Sequence, residues 1–383
     1  MKAVHFRAGN IGSGFIGLLL SRAGYEVIFS DVNDTLVSAL SSRHEYTVEL
    51  ANDAKDTEQV TNVTAISGKN AQDVAAAVAG ADIVTTAVGV NILKAIAPGI
   101  AQGISQRLNA GAQPLHIIAC ENAIGGSQQL KEHVYALLDE ETRTKAEGVI
   151  FFPNAAVDRI VPIQHHEDPL YVQVEPFYEW VVDRSQMSPD HAEIGGVHYV
   201  DNLEPYIERK LFTVNTGHCV AAYLGYAAGF STIQEAIADE QVLASVKGAL
   251  EETGAVLVKR FGLDQAEHDK YILKNLERFR NPNLTDEVSR VGRSPLRKLS
   301  PNDRLVRPAL QAYEYGIHPK HLLQGMAAAC IFQNDEDPEV AELQAVIQNE
   351  GIAAAITRYT GIAADHPLHQ QIVAEYEQLK RTN

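Results

Sequence analysis

Two textures of apolar residues divide the chain. Over roughly the first 200 positions, short β-branched runs take turns with stretches of helical period. Residues 3–6 (Ala-Val-His-Phe) read as a strand, and residues 11–23 as a helix in which Ile11, Phe15, Leu18 and Leu19 recur at helical spacing. Residues 25–30 form a second strand ending at Asp31, and residues 81–88, 115–119 and 148–152 read as buried strands. Such alternation predicts a parallel sheet with crossover helices. Three further extended runs, 171–174, 180–182 and 197–199, close this half. After about residue 205 strand-like runs nearly vanish. Alanine-rich helical segments then dominate, at 210–229, 233–260, 264–279, 303–315, 318–332, 338–351 and 366–381. The pattern predicts an α/β domain over residues 1–200 and a predominantly α-helical domain over residues 201–383, with no repeat and no low-complexity tract.

Composition narrows the class. Of 383 residues, 45% are hydrophobic and 21% charged, an ordinary globular balance. A net charge of −17 argues against a general nucleic-acid or anionic-membrane binder, whose affinity rests on a basic surface. Three widely spaced cysteines, Cys120, Cys219 and Cys330, give neither a disulfide framework nor a zinc ribbon. No run reaches the ~18 apolar residues of a membrane helix, and the first residues lack the pattern of an export signal. The expected location is the cytoplasm.

The segment Ala8-Gly9-Asn10-Ile11-Gly12-Ser13-Gly14 lies between the first strand and the first helix, where a dinucleotide fingerprint belongs. There, glycines let the backbone approach a pyrophosphate, and the helix N-terminus offers it unpaired N–H groups. Asp31, at the end of the second strand, stands where a carboxylate can bind the adenosine ribose and repel a 2′-phosphate. These features predict a Rossmann-type domain that binds NAD rather than NADP. One residue departs from the fingerprint: its first glycine would fall at position 7, which is Arg7.

The second half opens with Lys210-Leu211-Phe212-Thr213-Val214-Asn215-Thr216-Gly217-His218. At helical spacing one side of a single helix can present Lys210, Asn215 and His218. A desolvated lysine can accept a hydroxyl proton as hydride leaves the carbon, while an amide and an imidazole hold the oxygen. By itself the segment fits better a polar helix face whose lysine reaches solvent. Asn154 follows Phe151-Phe152-Pro153 at a strand end, where ligands bind in open α/β sheets. Residues 278–307 hold eight basic side chains against three acids, a local +5 suited to a phosphate group. The loop His165-His166-Glu167-Asp168 matches no structured metal spacing.

Together, Ala8-Gly9-Asn10-Ile11-Gly12, Pro153-Asn154 with Val157-Asp158-Arg159-Ile160, and Lys210-Leu211 with Asn215 and His218 resemble the polyol-specific long-chain dehydrogenases. Ala119-Cys120-Glu121-Asn122, Arg290-Val291-Gly292-Arg293 and Pro295-Leu296-Arg297-Lys298-Leu299-Ser300 extend the likeness over nearly the whole chain. The resemblance implies a zinc-independent NAD enzyme interconverting D-mannitol 1-phosphate and D-fructose 6-phosphate, and a monomer fits it. It implies Lys210 as general base, Asn154 and Asn215 as groups polarising the reacting oxygen, and His218 as a hydrogen-bond partner of the substrate. It also tips the basic segment toward phosphate recognition by Arg293 and Lys298. Arg7, where the family carries glycine, and Ser13, where arginine is expected, both lie on the pyrophosphate turn. The alternatives are a dehydrogenase of an unphosphorylated polyol or a hexuronate, and a non-catalytic nucleotide-binding protein.

Overall fold

The computed structural model describes residues 1–111, 113–162 and 164–382. The chain divides into two compact units, Met1–Tyr206 and Ile207–Asn383. The first is built on a six-stranded parallel sheet of β1 (Lys2–Phe6), β2 (Glu26–Asp31), β5 (Val63–Ser67), β6 (Ile83–Thr86), β7 (Leu115–Ala119) and β8 (Ile150–Phe151), in the order β5-β2-β1-β6-β7-β8. Successive residues of its central strands serve opposite faces. Ala3, Ile83 and Ile118 join one buried cluster, with Phe15, Leu19 and Trp180, while Val4, Val84 and Ile117 join another, with Val78, Ile100 and Val134. Burial on both faces is why these strands read as short continuous apolar runs.

Two small three-stranded sheets complete the unit. One orders β10 (Tyr171–Val174), β3 (Glu45–Leu50) and β4 (Thr57–Thr61); the other orders β12 (Val197–Val200), β11 (Glu179–Asp183) and β9 (Ala155–Asp158). The strands β3, β4, β5 and β9 add to the pattern expected from sequence. In β3, buried Tyr46 and Val48 alternate with Glu45, Thr47 and Glu49, so half of the strand is polar.

The second unit is built of helices joined by turns and loops, with no strand among its described residues. The single helix expected over 233–260 is two, Ile233–Ala238 and Glu240–Phe261. Asp239 separates them because its carboxylate caps the second helix, accepting from the N–H groups of Gln241 and Val242 at 3.0 and 2.9 Å. A larger correction concerns winding. The segments expected as α-helix from residues 11 and 210 each contain a π-helical turn, Gly12–Gly17 and Lys210–Asn215, the second preceded by α-helix over Glu204–Arg209, and they continue as α-helix over Leu18–Arg22 and Thr216–Ala227. A wider turn shifts every later side chain around the axis, and such turns concentrate at functional sites.

Candidate functional site

In the first unit, the chain leaves β1 through Arg7, whose backbone is left-handed at φ +79°. The Ala8 N–H then donates to Asp31 Oδ2 at 2.7 Å, tying the glycine turn to the end of β2. Asp31 Oδ1 accepts the Asn33 N–H at 2.9 Å. A carboxylate has about four acceptor positions, so these two bonds orient Asp31 and leave it capacity for a ligand hydroxyl. Ser13 turns inward, its N–H and hydroxyl both donating to the Gly9 carbonyl at 2.8 and 2.9 Å. Asn10 donates to the Pro162 carbonyl at 3.1 Å, and Ile11 is half-buried.

The glycines are required for two separate reasons. A Cβ on Gly12 would lie 2.1 Å from the Arg7 carbonyl oxygen and 2.7 Å from His5 Nε2. His5 is buried and donates or accepts at Thr85 Oγ1 across 2.7 Å, and burial lowers its pKa to about 3, which keeps the ring neutral. A Cβ on Gly14 would instead meet Val174 at 2.5 Å, so that glycine serves the packing of helix on β10. Gly12→Ala is therefore expected to cost about 1–3 kcal/mol by forcing the turn open. Thermal unfolding checks this: a clear fall for Gly12→Ala, and little change for Ser13→Ala.

Beside this turn lies a cavity of about 580 Å³. Phe6, Arg7, Ser30, Asp31, Gly68 and Val88 bring to its wall the carboxyl ends of β1, β2, β5 and β6, and Val74, Ile92 and Ile96 make one side apolar. That position, the apolar side and the fixed carboxylate fit an adenosine moiety. Glu121, which the sequence singled out only through its neighbours, pins the loop that carries the wall residue Val88. Its buried carboxylate accepts the Thr86 hydroxyl at 2.6 Å and the Val88 and Gly89 N–H groups at 3.0 and 2.8 Å.

Asn154 stands between β8 and β9, half-buried. Its Oδ1 accepts the Gln128 N–H at 3.3 Å, and its backbone N–H and Nδ2 donate to Gln186 Oε1 at 2.8 and 3.3 Å. Gln128 and Gln186 thus fix which end of the amide faces which way, a role no local motif announces.

In the second unit, the π-turn supersedes the angles of an ideal α-helix, and the three polar residues are each partly accessible. Within residues 210–220, Lys210, Leu211, Asn215 and His218 are half-buried, while Phe212, Thr213, Val214, Thr216, Gly217, Cys219 and Val220 are buried. Thr216 closes the turn by donating to the Arg304 carbonyl at 2.6 Å. The His218 ring stacks on Phe279, centroids 5.0 Å apart, and its Nε2 lies 2.9 Å from Asp286 Oδ2. Asp286 also receives Arg290 Nε and a terminal nitrogen at 2.5 and 2.6 Å. Burial works against this charge, but His218 and then Arg290 overcome it and hold the carboxyl at about 2. The sequence reading counts Asp286 only as an acid among basic residues. Its spacing of four from Arg290 is the one local signal of the pair.

The basic segment is more committed than its charge suggests. Arg290 is taken by Asp286, Arg304 by Asp303 at 2.6 Å, and Arg307 by Glu208 at 2.5 Å. Lys298 is buried and donates to the carbonyls of Val291 and Arg293, and burial lowers its pKa to about 8. Its ammonium holds the bend after residue 290 rather than pointing into solvent. Arg280, Arg293 and Arg297 are exposed. Arg293 donates to the Arg290 carbonyl at 3.2 Å, leaving most of its donors available.

Among the described residues, no group of three or more His, Cys, Asp or Glu side chains is placed to hold a metal ion. Comparison with known proteins adds the family. Residues 1–196 match the model of the mannitol dehydrogenase Rossmann domain, and residues 202–380 that of the mannitol dehydrogenase C-terminal domain. The chain is 53% identical over 380 residues to a mannitol-1-phosphate 5-dehydrogenase of Brevibacillus brevis, covering 99% of this chain and 98% of the relative. With that of Bacillus subtilis it shares 50% over 379 residues, covering 99% and 100%. Among solved structures, Pseudomonas fluorescens mannitol 2-dehydrogenase in ternary complex with NAD and D-mannitol superposes with a TM-score of 0.80 at 17% identity, covering 100% of this chain and 91% of that one. A D-sorbitol dehydrogenase in substrate-free form gives 0.82 at 15%, covering 100% and 93%. At those identities the two structures show a shared fold. Matched along both halves by the family's models, and half identical to its members from end to end, this chain belongs to the mannitol dehydrogenase family.

Proposed function

We propose that this chain catalyses the NAD-dependent interconversion of D-mannitol 1-phosphate and D-fructose 6-phosphate. The observation that carries the chemistry is the half-burial of Lys210, Asn215 and His218 among buried neighbours, the first two at the ends of a π-turn and the third on the α-helix that continues it. The substrate reading rests on the relatives' named activity together with exposed Arg293. NAD fits the first unit: the apolar wall of Val74, Ile92 and Ile96 takes the adenine, Asp31 the ribose, and the turn from Ala8 to Gly14 the pyrophosphate. When bound, it supplies the acceptor for the hydride.

The chain's residues manage the proton and the oxygen. Lys210, as the free amine, takes the proton of the hydroxyl being oxidised, and as the ammonium returns it to the carbonyl oxygen in the reverse direction. We assign the polarising of that oxygen, while its charge changes, to an amide side chain, with Asn215 and Asn154 as the candidates. Amides fixed in advance stabilise a developing charge without reorganising, which supports a role for the Gln128 and Gln186 bonds to Asn154. His218, oriented by Asp286 and Phe279, donates to the substrate. Arg293 binds the phosphate as a fork, and Lys298 supports the loop that carries it. We place the reaction in the cytoplasm, in keeping with three cysteines that are all free and buried. No helix among the described residues is long and apolar enough to cross a membrane.

The test is NADH oxidation followed by absorbance with fructose 6-phosphate and with fructose. Turnover is expected with the phosphate ester and not with the free sugar. Arg293→Ala is expected to raise the KM for fructose 6-phosphate about 10-fold or more, with the KM for NADH unchanged. Equal effects on both constants would make Arg293 structural. Turnover with a hexuronate or a free polyol would replace the substrate, and NADH binding without turnover on any of them would leave a nucleotide binder.

A further inference from the structure

Arg7 is the feature of the nucleotide site that the family pattern does not explain. A left-handed backbone is natural for glycine and costs other residues of order 1–2 kcal/mol. Arg7 holds it at φ +79° at the first position of the glycine turn. Strain of this kind persists where the surrounding structure imposes it, and it gathers at ligand sites. Here the Arg7 N–H donates to the Ser30 carbonyl at 2.8 Å, and its own carbonyl oxygen faces Gly12, so the main chain has little room to relax.

The side chain has a definite path. It folds back over Gly9, where a Cβ would lie 3.2 Å from Arg7 Nε and 3.5 Å from its Cγ. The guanidinium then donates to the Val88 carbonyl at 3.2 Å, on the loop that Glu121 pins. The arginine therefore lies across the part of the turn where a pyrophosphate approaches the backbone, and it lines the same cavity as Asp31. Two cationic side chains line that cavity. Lys69 is paired with Asp34 at 2.7 Å, whereas Arg7 makes one long bond to a neutral carbonyl. In a chain of net charge −17, an anionic cofactor gains from a cation placed at its phosphates.

We propose that Arg7 is a cofactor-binding residue that exchanges the Val88 carbonyl for the pyrophosphate oxygens of the dinucleotide. The inference rests on the dinucleotide reading of this site. It predicts opposed effects on affinity and stability, because glycine at position 7 relieves the backbone while removing the charge.

The test titrates ADP-ribose and adenosine into the wild type, Arg7→Gly and Arg7→Gln by calorimetry, with NADH fluorescence on the wild type as the reference. ADP-ribose is expected to bind about 10-fold or more weakly to both variants, since a hydrogen bond to a charged group is lost. Adenosine, which has no phosphate, should bind all three alike. Without ligand, Arg7→Gly should unfold about 2–4 °C above the wild type and Arg7→Gln should not. Unchanged or tighter ADP-ribose binding in the variants overturns the proposal and makes Arg7 a bystander or an obstruction. An equal loss for adenosine also overturns it, by making the effect structural. A wild type that binds neither NADH nor ADP-ribose removes the cofactor reading itself, a result visible before any variant is compared.

Discussion

Replacing Lys210 by alanine is expected to lower kcat by about 10²–10⁴-fold while NADH binds as before, because general acid–base catalysis contributes on that scale. Lys210 begins the π-turn that also carries Asn215, and its neighbours Phe212, Thr213 and Val214 are buried. Alanine is a strong helix former, so the fold of the second unit should survive the change. Absorbance assays with fructose 6-phosphate give the rate, and fluorescence titration gives the NADH affinity. Two further variants separate chemistry from charge. Lys210→Arg keeps a cation that cannot give up its proton, and it should be nearly as slow as alanine. Small primary amines added to Lys210→Ala should restore part of the rate, more at higher pH as the free amine accumulates. Near-normal turnover in Lys210→Ala would remove the lysine from the mechanism, and Asn215 and His218 would then be polar residues on a helix face.

The parts of this site legible from sequence are those whose partners are close in the chain or repeat with a period. The glycine turn and Asp31 are separated by one helix and one strand, so their joining by the 2.7 Å Ala8–Asp31 bond follows from the order of elements. Buried strands such as β7 are legible because both faces are covered and all residues but His116 are apolar. The half-polar β3 is hidden by the glutamates and threonine on its outer side. Winding is hidden for another reason: apolar periodicity over six residues does not distinguish a π-turn from an α-turn, so Lys210–Asn215 reads as ordinary helix. Most obscure are polar partners distant in sequence. Net charge over residues 278–307 suggests a broad cationic patch, but the structure spends Arg290, Arg304 and Arg307 on carboxylates and Lys298 on carbonyls. Counting charges locally cannot reveal Glu208, which lies outside that segment and takes Arg307.

Asp286 is the distant partner with the largest expected effect. It is buried, it receives two bonds from Arg290, and it sits 2.9 Å from His218 Nε2. Asp286→Ala removes one member of a buried charged group and leaves Arg290 without its carboxylate, a loss of about 3–5 kcal/mol in the stability of the second unit. Asp286→Asn keeps the shape and should cost less, but an amide cannot serve Arg290 and the imidazole as a carboxylate does. Both variants should lower kcat with little change in NADH affinity, because His218 keeps its stacking on Phe279 but loses the group that orients its ring. The pH dependence identifies the cause. A carboxyl held at about 2, against an ordinary 3.8, stabilises the fold above the higher value and loses that contribution as pH falls toward the lower. Nearly two units correspond to about 2 kcal/mol. The stability gap between the wild type and Asp286→Asn should therefore narrow between about pH 4 and pH 2, as followed by urea unfolding. A gap that stays constant through that range would mean that packing, and not the carboxylate, supports His218.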